Sequence, residues 1–149
     1  MIKIICPGKI KEKFLQQAAE EYLKRLSKYT KIEIIEVKDE ANLEKALKIE
    51  GEQILKHIKD NDYVITLEIK GNKLSSEALA SKIEKTLMVN PNIVLVLGGS
   101  YGLDETVSKR SDYQLSFSDM TFPHQLFRII LLEQLYRAFK IINNENYHK

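Results

Sequence analysis

One stretch decides the fold: Ile93-Val94-Leu95-Val96-Leu97-Gly98-Gly99-Ser100-Tyr101-Gly102. Its first half is an unbroken apolar run, rich in β-branched side chains and too short for a globular helix, which is typical of a strand buried on both faces. The three glycines that follow allow positive φ angles and let a ligand approach the main chain closely. Because open α/β sheets bind ligands where such strands end, this stretch predicts a buried strand and a ligand-binding turn.

Two further segments point to the same end of the sheet. Residues 114–118 have the pattern of a second strand, and Phe117-Ser118-Asp119-Met120-Thr121-Phe122-Pro123-His124 leads into the last helix. Pro123 suits the first helical position, and Thr121 can cap the helix just before it. We therefore expect two loops and a helix start to converge on one place.

The preceding part of the chain alternates strand and helix patterns. Apolar runs predict strands over residues 2–6, 32–37 and 63–69, and Lys70-Gly71-Asn72 predicts a turn. Apolar residues at three-and-four spacing predict helices over residues 11–28 and 42–59, and Ser75 or Ser76 can cap a third helix that ends near Asn90. This order predicts one α/β domain over residues 1–149, a mostly parallel sheet flanked by helices.

Composition limits the classes of protein to which the chain can belong. With 149 residues, 44% hydrophobic and 30% charged, it is long enough to bury a core and is not disordered. The net charge of +2 is too small to identify a nucleic-acid binder. A single cysteine, Cys6, excludes an internal disulfide, and no apolar run approaches the roughly 20 residues of a membrane span. We expect a cytoplasmic protein without a metal site or a membrane partner.

The last helix, from Pro123 to about Asn143, is apolar around most of its circumference. Only a narrow polar strip of Glu133, Arg137 and Lys140 interrupts the apolar surface. A helix of this kind must be buried on more than one side. Because one sheet face cannot supply both partners in so small a domain, the pattern predicts a homodimer interface; burial within a monomer is the alternative.

The glycine turn also fits the nucleophile elbow of α/β-hydrolases. Ser100 lies in a G-x-S-x-G pattern after a strand, and Asp112 or Asp119 and then His124 follow in the order Ser, Asp, His. Such hydrolases are generally much larger, and no second glycine-rich loop completes an oxyanion hole. The glycines match neither the phosphate-binding loop nor the dinucleotide fingerprint.

Five motifs in order, spanning nearly the whole chain, give a more specific indication. They are Thr66-Leu67-Glu68-Ile69; Leu97-Gly98-Gly99 with Gly102-Leu103; Leu115-Ser116-Phe117-Ser118 with Met120-Thr121-Phe122-Pro123-His124; Leu135-Tyr136-Arg137-Ala138; and Tyr147-His148-Lys149. Together they closely resemble the RlmH family. These are small SPOUT-class methyltransferases that modify a pseudouridine of large-subunit ribosomal RNA.

The resemblance implies a fold, a cofactor and a substrate. The fold is a SPOUT-type, Rossmann-like sheet with a C-terminal trefoil knot, and the cofactor is S-adenosylmethionine in a bent form. The substrate is N3 of a pseudouridine in the helix 69 region of 23S ribosomal RNA on assembled ribosomes. The residues that would line the cofactor, matched one by one, are Leu67, Gly98, Phe117, Ser118, Asp119, Met120, Thr121 and Phe122.

Methyl transfer to N3 needs an in-line approach and removal of a proton. The candidates for placing the base or handling that proton are His124, Arg128, Arg137, Tyr147 and His148, with His148 and Arg137 preferred for placing it. In the family, the tail of one protomer completes the site of the other, which implies an obligate homodimer. No single general base can be named from the sequence.

The sequence leaves four points open. Cys6-Pro7 replaces the small apolar residues that are usual before Gly-Lys in the family, and Asp119 stands where a neutral or basic residue is expected. Basic residues that could neutralise phosphates are Lys9, Lys11, Lys13, Lys24, Arg25, Lys28 and Lys31. A noncatalytic protein that kept the fold and binds ribosomes is the alternative to the enzyme.

Overall fold

A five-stranded parallel sheet forms the centre of the protein. The computed structural model describes residues 1–40, 42–99 and 101–147. The strands are β1 (Ile2–Pro7), β2 (Ile32–Val37), β3 (Tyr63–Lys73), β4 (Ile93–Leu97) and β5 (Tyr113–Ser116). They lie in the order β2-β1-β4-β3-β5, and every pairing is parallel. The predicted parallel α/β sheet is confirmed, and β4, entirely buried, lies at its centre.

Five helices connect the strands. They are α1 (Lys13–Leu26), α2 (Leu43–Lys56), α3 (Ser76–Val89), α4 (Glu105–Arg110) and α5 (His124–Ile142). Side-chain caps begin three of them, since Asn42, Ser75 and Asp104 each accept a backbone N–H of the first turn. The four long helices agree with the prediction to within about three residues, a usual error at helix ends. The short α4 was not predicted.

The helices cover both faces of the sheet. One face packs against α1, α3 and α5, whose apolar residues form the larger core with Ile4, Ile65 and Leu95. The other face forms a smaller core in which Ile54 of α2 and Val107 of α4 pack on strand residues. No helix of the described residues is long and apolar enough to cross a membrane.

The helix α5 is buried on several sides, as its sequence predicts. Leu131, Leu132 and Leu135 are completely buried, and α5 packs against both α1 and α3. Two helices of the same chain, α1 and α3, lie beside α5, so partners within one protomer already bury it on more than one side. The burial of this helix does not by itself require a dimer.

The start of α5 also differs from the prediction. The helix begins at His124, so Pro123 is its N-cap residue, and no side chain, Thr121 included, caps it. The first backbone N–H groups of α5 are thus left without a side-chain acceptor.

The pairing of β3 with β5 contains an irregularity. Leu115 pairs with both Leu67 and Asn72, so residues 68–71 form an excursion between two paired segments of β3. Residues 70–72, predicted as a turn, are thus part of a bulged strand. A Cβ at Gly71 would lie 2.8 Å from the carbonyl carbon of Gln114, so only glycine allows the two backbones this approach.

Candidate active site

An open cavity of about 840 Å³ lies where β3, β4 and β5 end. Its wall consists of the ends of these three strands, the glycine turn, the loop before α5 and the first turn of α5. The lining residues are Leu67, Glu68, Ile69, Lys70, Leu97, Gly98, Gly99, Tyr101, Gly102, Leu103, Leu115, Ser116, Phe117, Ser118, Met120, Thr121, Phe122, Pro123, His124 and Phe127. The volume lies within the roughly 300–1,000 Å³ of small-molecule sites. The predicted convergence of two loops and a helix start thus produces a cavity of ligand size.

The glycine turn is a closed backbone loop. The N–H of Gly102 donates to the carbonyl of Gly99 at 3.1 Å, and Gly102 has a φ of +82°. A Cβ at Gly98 would lie 2.6 Å from the carbonyl carbon and oxygen of Gly102. The turn therefore presents main-chain groups to the cavity, and a side chain at Gly98 would force it apart.

The loop between β5 and α5 forms the apolar wall. The ring of Phe127 packs between Phe117, at a centroid distance of 5.0 Å, and Phe122, at 5.8 Å. The hydroxyl of Ser118 accepts the N–H of Met120 at 3.0 Å and so holds the loop in a turn. These aromatic residues form an apolar surface against which a planar ring can pack.

All the residues predicted to line the cofactor lie around this cavity except Asp119. The carboxylate of Asp119 pairs instead with Lys73 of β3, at 2.6 Å, on an exposed part of the surface. It is not among the lining residues, which favours a position facing solvent over one next to the ligand.

The residues proposed for catalysis fall into separate groups. His124 lines the cavity. Arg128, one turn further along α5, points elsewhere: its guanidinium donates to Glu36 at 2.7 Å and to the carbonyl of Gly8 at 3.0 Å. His148 lies outside the described residues.

Arg137 and Tyr147 form a cluster on the second half of α5. The carboxylate of Glu133 accepts from Arg137 at 2.9 Å and from the phenol of Tyr147 at 3.1 Å. The ring of Tyr147 meets that of Tyr136 edge to face at 4.8 Å. Burial and the adjacent Glu133 raise the pKa of Tyr147 to about 12, so its phenol is protonated at neutral pH. The chain thus folds its C-terminal segment back onto α5, outside the cavity wall.

Comparison with known proteins decides the family. Residues 1–148 match the family model described as "Predicted SPOUT methyltransferase". The chain belongs to the SPOUT methyltransferase family. As a SPOUT methyltransferase it is an enzyme, and the five-stranded sheet and its cavity are the family's fold and candidate site.

Relatives of this SPOUT methyltransferase match it over their whole length. The ribosomal RNA large subunit methyltransferase H 1 of Clostridium perfringens is 54% identical, over 99% of each chain. The ribosomal RNA large subunit methyltransferase H of Caldicellulosiruptor saccharolyticus is 51% identical, over 100% of each. These matches confirm the resemblance to the RlmH family.

A solved structure supports the fold of the SPOUT methyltransferase. It is that of a probable methylase family protein from Haemophilus influenzae, with a TM-score of 0.61 and 16% identity, and the match covers 99% of this chain and 70% of the other. At this identity the likeness concerns the fold alone.

The described residues of this SPOUT methyltransferase do not support the hydrolase hypothesis. Ser100, its nucleophile, lies outside the described residues. Asp112 accepts the N–H of Val64 at 2.8 Å, and Asp119 pairs with Lys73, so both proposed acids have other partners.

Two acidic residues next to the glycine turn and the cavity were missed by the site prediction. Glu68 lines the cavity, and Glu50 of α2 lies behind the turn, since a Cβ at Gly99 would be 3.2 Å from its Oε1 atom. Glu68 could have been found from the alternation of β3, which places it on the same side as Thr66. No local signal identifies Glu50, because α2 is far from the turn in sequence.

Proposed function

We propose that this SPOUT methyltransferase uses S-adenosylmethionine to methylate N3 of a pseudouridine in the helix 69 region of 23S ribosomal RNA, acting as a homodimer on assembled ribosomes in the cytoplasm. One observation carries the proposal: relatives named ribosomal RNA large subunit methyltransferase H are 51% to 54% identical over essentially the whole chain.

The cavity fits an adenosyl cofactor with an amino-acid tail. Phe117, Phe122 and Leu67 provide apolar walls for the adenine, and the turn at Gly98 provides main-chain donors and acceptors. The start of α5 has no side-chain cap, and its N–H groups can attract a carboxylate. When bound, the cofactor supplies an activated methyl group. The residues of the cavity would hold the cofactor so that its methyl group is open to the target nitrogen, and such positioning can supply much of the rate enhancement.

The C-terminal trefoil knot belongs to the proposal as well. The register shift at Leu115, which pairs with both Leu67 and Asn72, is compatible with it but is also what a large β-bulge produces. The main support for the knot is membership of the SPOUT family, because knots are otherwise rare among protein folds. In this arrangement the loop at Gly71 and the loop before α5 hold each other in place around the cavity.

Proton removal from N3 requires a base at the open side of the cavity. Of the five candidates, His124 is the described residue that lines the cavity in its own chain. A neutral imidazole accepts a proton, so we assign His124 the proton-handling role within the protomer.

The cluster of Arg137 and Tyr147 supports the dimer. From His124 to Arg137 the helix rises about 20 Å, and Tyr147 lies against Tyr136 rather than the cavity. In a single chain, Tyr147 and the cavity are therefore separate. A second copy, related by a two-fold axis, can bring its own tail to this cavity, which makes the complete site depend on both subunits.

A basic turn lies next to the cavity and is our candidate for RNA contact. The N–H of Lys11 donates to the side chain of Gln125 at 2.9 Å, which ties the turn after β1 to the start of α5. Lys9 and Lys11 are exposed on this turn, and Lys13 is exposed at the first position of α1. Lysines here can neutralise phosphates on either side of the target base.

The first experiment measures transfer of a labelled methyl group from S-adenosylmethionine to ribosomes that lack the modification, with free ribosomal RNA in parallel. We expect labelling of one pseudouridine on ribosomes and little on free RNA. Deletion of residues 147–149 is expected to abolish it. Cofactor binding without any transfer would favour the noncatalytic ribosome-binding protein and refute the enzyme assignment to this substrate.

A mixing experiment tests the shared site. The chain lacking residues 147–149 has an intact cavity, and Gly98→Ala has an intact tail; each is expected to be inactive alone. After the two are unfolded and refolded together, half of the dimers are mixed and each holds one complete site, so about a quarter of wild-type activity is expected. Mixing each variant with itself is the control, and no recovery in verified mixed dimers would refute the shared site.

A further inference from the structure

Glu68 has an unusual environment for a carboxylate at a cavity wall. It follows Leu67 at the end of the regular part of β3 and is partly buried. Its Oε2 atom accepts the hydroxyl of Thr66 at 2.7 Å, and its Oε1 atom accepts the hydroxyl of Ser108, on α4, at 2.8 Å. Thr66 is completely buried, so the position of its hydroxyl is fixed by the core around it.

Among the described residues, no lysine, arginine or histidine forms an ion pair with Glu68. Lys70 also lines the cavity but does not reach it. The carboxylate thus has two hydroxyl donors and no cation, and a ligand with hydrogen-bond donors can satisfy its remaining acceptor sites. It also repels phosphate, which makes RNA an unsuitable partner for this part of the cavity.

Both carboxylate oxygens of Glu68 can accept a further hydrogen bond in addition to the one from each hydroxyl. Each carboxylate oxygen can accept two hydrogen bonds and here accepts one from the protein. Two acceptors side by side match two adjacent donors, and a vicinal diol has that arrangement. Acidic side chains after a strand of a parallel sheet bind ribose hydroxyls in other nucleotide-binding folds.

We propose that Glu68 binds the ribose 2′- and 3′-hydroxyls of the cofactor, oriented for this by Thr66 and Ser108. This inference rests on the proposed function, since it specifies how the same cavity recognises its nucleoside. Glu68 contacts the ligand, and Thr66 and Ser108 are positioning residues that act through it.

The test is equilibrium binding to the full-length protein by titration calorimetry. The probes are S-adenosylhomocysteine, 5′-methylthioadenosine and the 2′-deoxy analogue of the latter. Wild type is expected to bind the first two and to bind the deoxy analogue less tightly. If wild type binds no S-adenosylhomocysteine, the proposed function itself fails; the inference about Glu68 is judged on the variants of a protein that does bind.

In Glu68→Gln, the affinities for S-adenosylhomocysteine and 5′-methylthioadenosine are both expected to fall, roughly ten- to a hundredfold, because hydrogen bonds to a charged acceptor are lost. The discrimination against the 2′-deoxy analogue is expected to disappear. A loss confined to probes with the amino-acid tail would assign Glu68 to the ammonium group and overturn the ribose contact. Unchanged affinity for all probes would also overturn it.

Two further variants distinguish the loss of a ligand contact from the loss of folding. Glu105→Gln removes the same charge from an exposed residue of α4 that pairs with Lys109 at 2.9 Å, and it is expected to bind like wild type. Ser108→Ala removes one orienting hydroxyl and is expected to weaken binding by a smaller factor while retaining discrimination against the deoxy analogue. Thermal unfolding of the ligand-free variants verifies that each is folded. If Ser108→Ala binds like wild type, the positioning role of Ser108 is refuted.

Discussion

The guanidinium of Arg128 and the carboxylate of Glu36 form an ion pair in which the arginine is buried and the glutamate side chain is 34% exposed, with an Nη1 to Oε2 distance of 2.7 Å. The side chain of Arg128 is only 3% exposed, and its Nη2 atom also donates to the carbonyl of Gly8. Its Nε atom has no hydrogen-bond partner among the described residues. The pair joins α5 to the ends of β1 and β2, next to the loop that begins at Gly8. It fixes the position of α5, the helix at the candidate site, relative to β1 and β2.

Replacement of Arg128 by methionine is therefore expected to lower the free energy of unfolding by about 1–2 kcal/mol, mainly because the Gly8 carbonyl loses its donor, while the exposed carboxylate of Glu36 is solvated by water. Urea unfolding measures this loss. Glu36→Gln keeps a hydrogen-bond acceptor but leaves the buried guanidinium of Arg128 without its charge partner, so it is expected to cost at least as much. If Arg128→Met kept its stability and cofactor affinity but lost methyl transfer, Arg128 would be catalytic, as the sequence allowed.

The order and type of the long elements could be predicted because each has a recognisable apolar pattern in its own sequence. Residues 93–97 are apolar without interruption and form the central strand, and the helices show the spacing of residues that face a core. The positions of Gly98 and Phe117 at one cavity follow from the rule that parallel strands end at one edge. Local patterns and one topological rule were sufficient for this much.

What could not be predicted depends on contacts between distant segments. The sequence around Gly71 predicts a turn. The residue lies in a bulged strand instead, because its backbone packs against that of Gln114. The partners of α5 are helices of the same chain, which a single-helix pattern cannot reveal. The pairing of Asp119 with Lys73 likewise depends on how β3 meets the loop after β5.

Cys6 is expected to be unreactive in the native protein. Burial raises the pKa of its thiol to about 11, although the nearby Arg128 opposes the shift. At pH 8 the thiolate fraction is thereby reduced about a hundredfold from that of an exposed cysteine. Labelling with iodoacetamide in buffer and in urea measures the difference. Equal rates in the two conditions would contradict the buried position.

Gly98 and Gly102 form a matched pair for the glycine turn. In Gly98→Ala the Cβ would lie 2.6 Å from backbone atoms of Gly102, so cofactor binding is expected to be lost as the turn opens. In Gly102→Ala the Cβ has free space, and the cost is the positive φ of 82°, about 1 kcal/mol. Calorimetric binding and thermal unfolding separate the two effects. A stronger loss of binding in Gly102→Ala would contradict the geometry of the turn.

Glu50 makes stability depend on pH. It is 5% exposed, and burial above all, with Asp39 nearby, raises its pKa above the usual value, although the N–H of Glu40 opposes this. A raised pKa in the folded state means that stability is greatest below the unfolded value near 4.5 and falls as the pH rises through the folded value. Glu50→Gln is expected to raise the melting temperature at pH 8 and to change it less at pH 4.5. An equal shift at both pH values would contradict the role of this carboxyl.

Asn144 determines the direction of the C-terminal segment. It is the non-glycine residue with a positive φ, 54°, among those described. The N–H of Asn144 donates to the carbonyl of Ile141 at 3.0 Å and that of Glu145 to the carbonyl of Lys140 at 2.8 Å, which is the Schellman arrangement that ends α5. The turn places Glu145 where Lys140, at 3.0 Å, and the phenol of Tyr29, at 2.8 Å, hold its carboxylate.

Asn144→Gly is expected to unfold at the same urea concentration or a slightly higher one, because glycine adopts this conformation without strain. Asn144→Val is expected to lose about 1–2 kcal/mol, since a Cβ opposes the left-handed region. Asn146→Val, two residues on and also exposed, is the control and is expected to change little. If the turn sets the course of the tail, Asn144→Val also lowers methyl transfer while cofactor affinity stays the same, because Tyr147 and the cavity are separate in one chain. Equal stability of the glycine and valine variants would show that the tail does not depend on this turn.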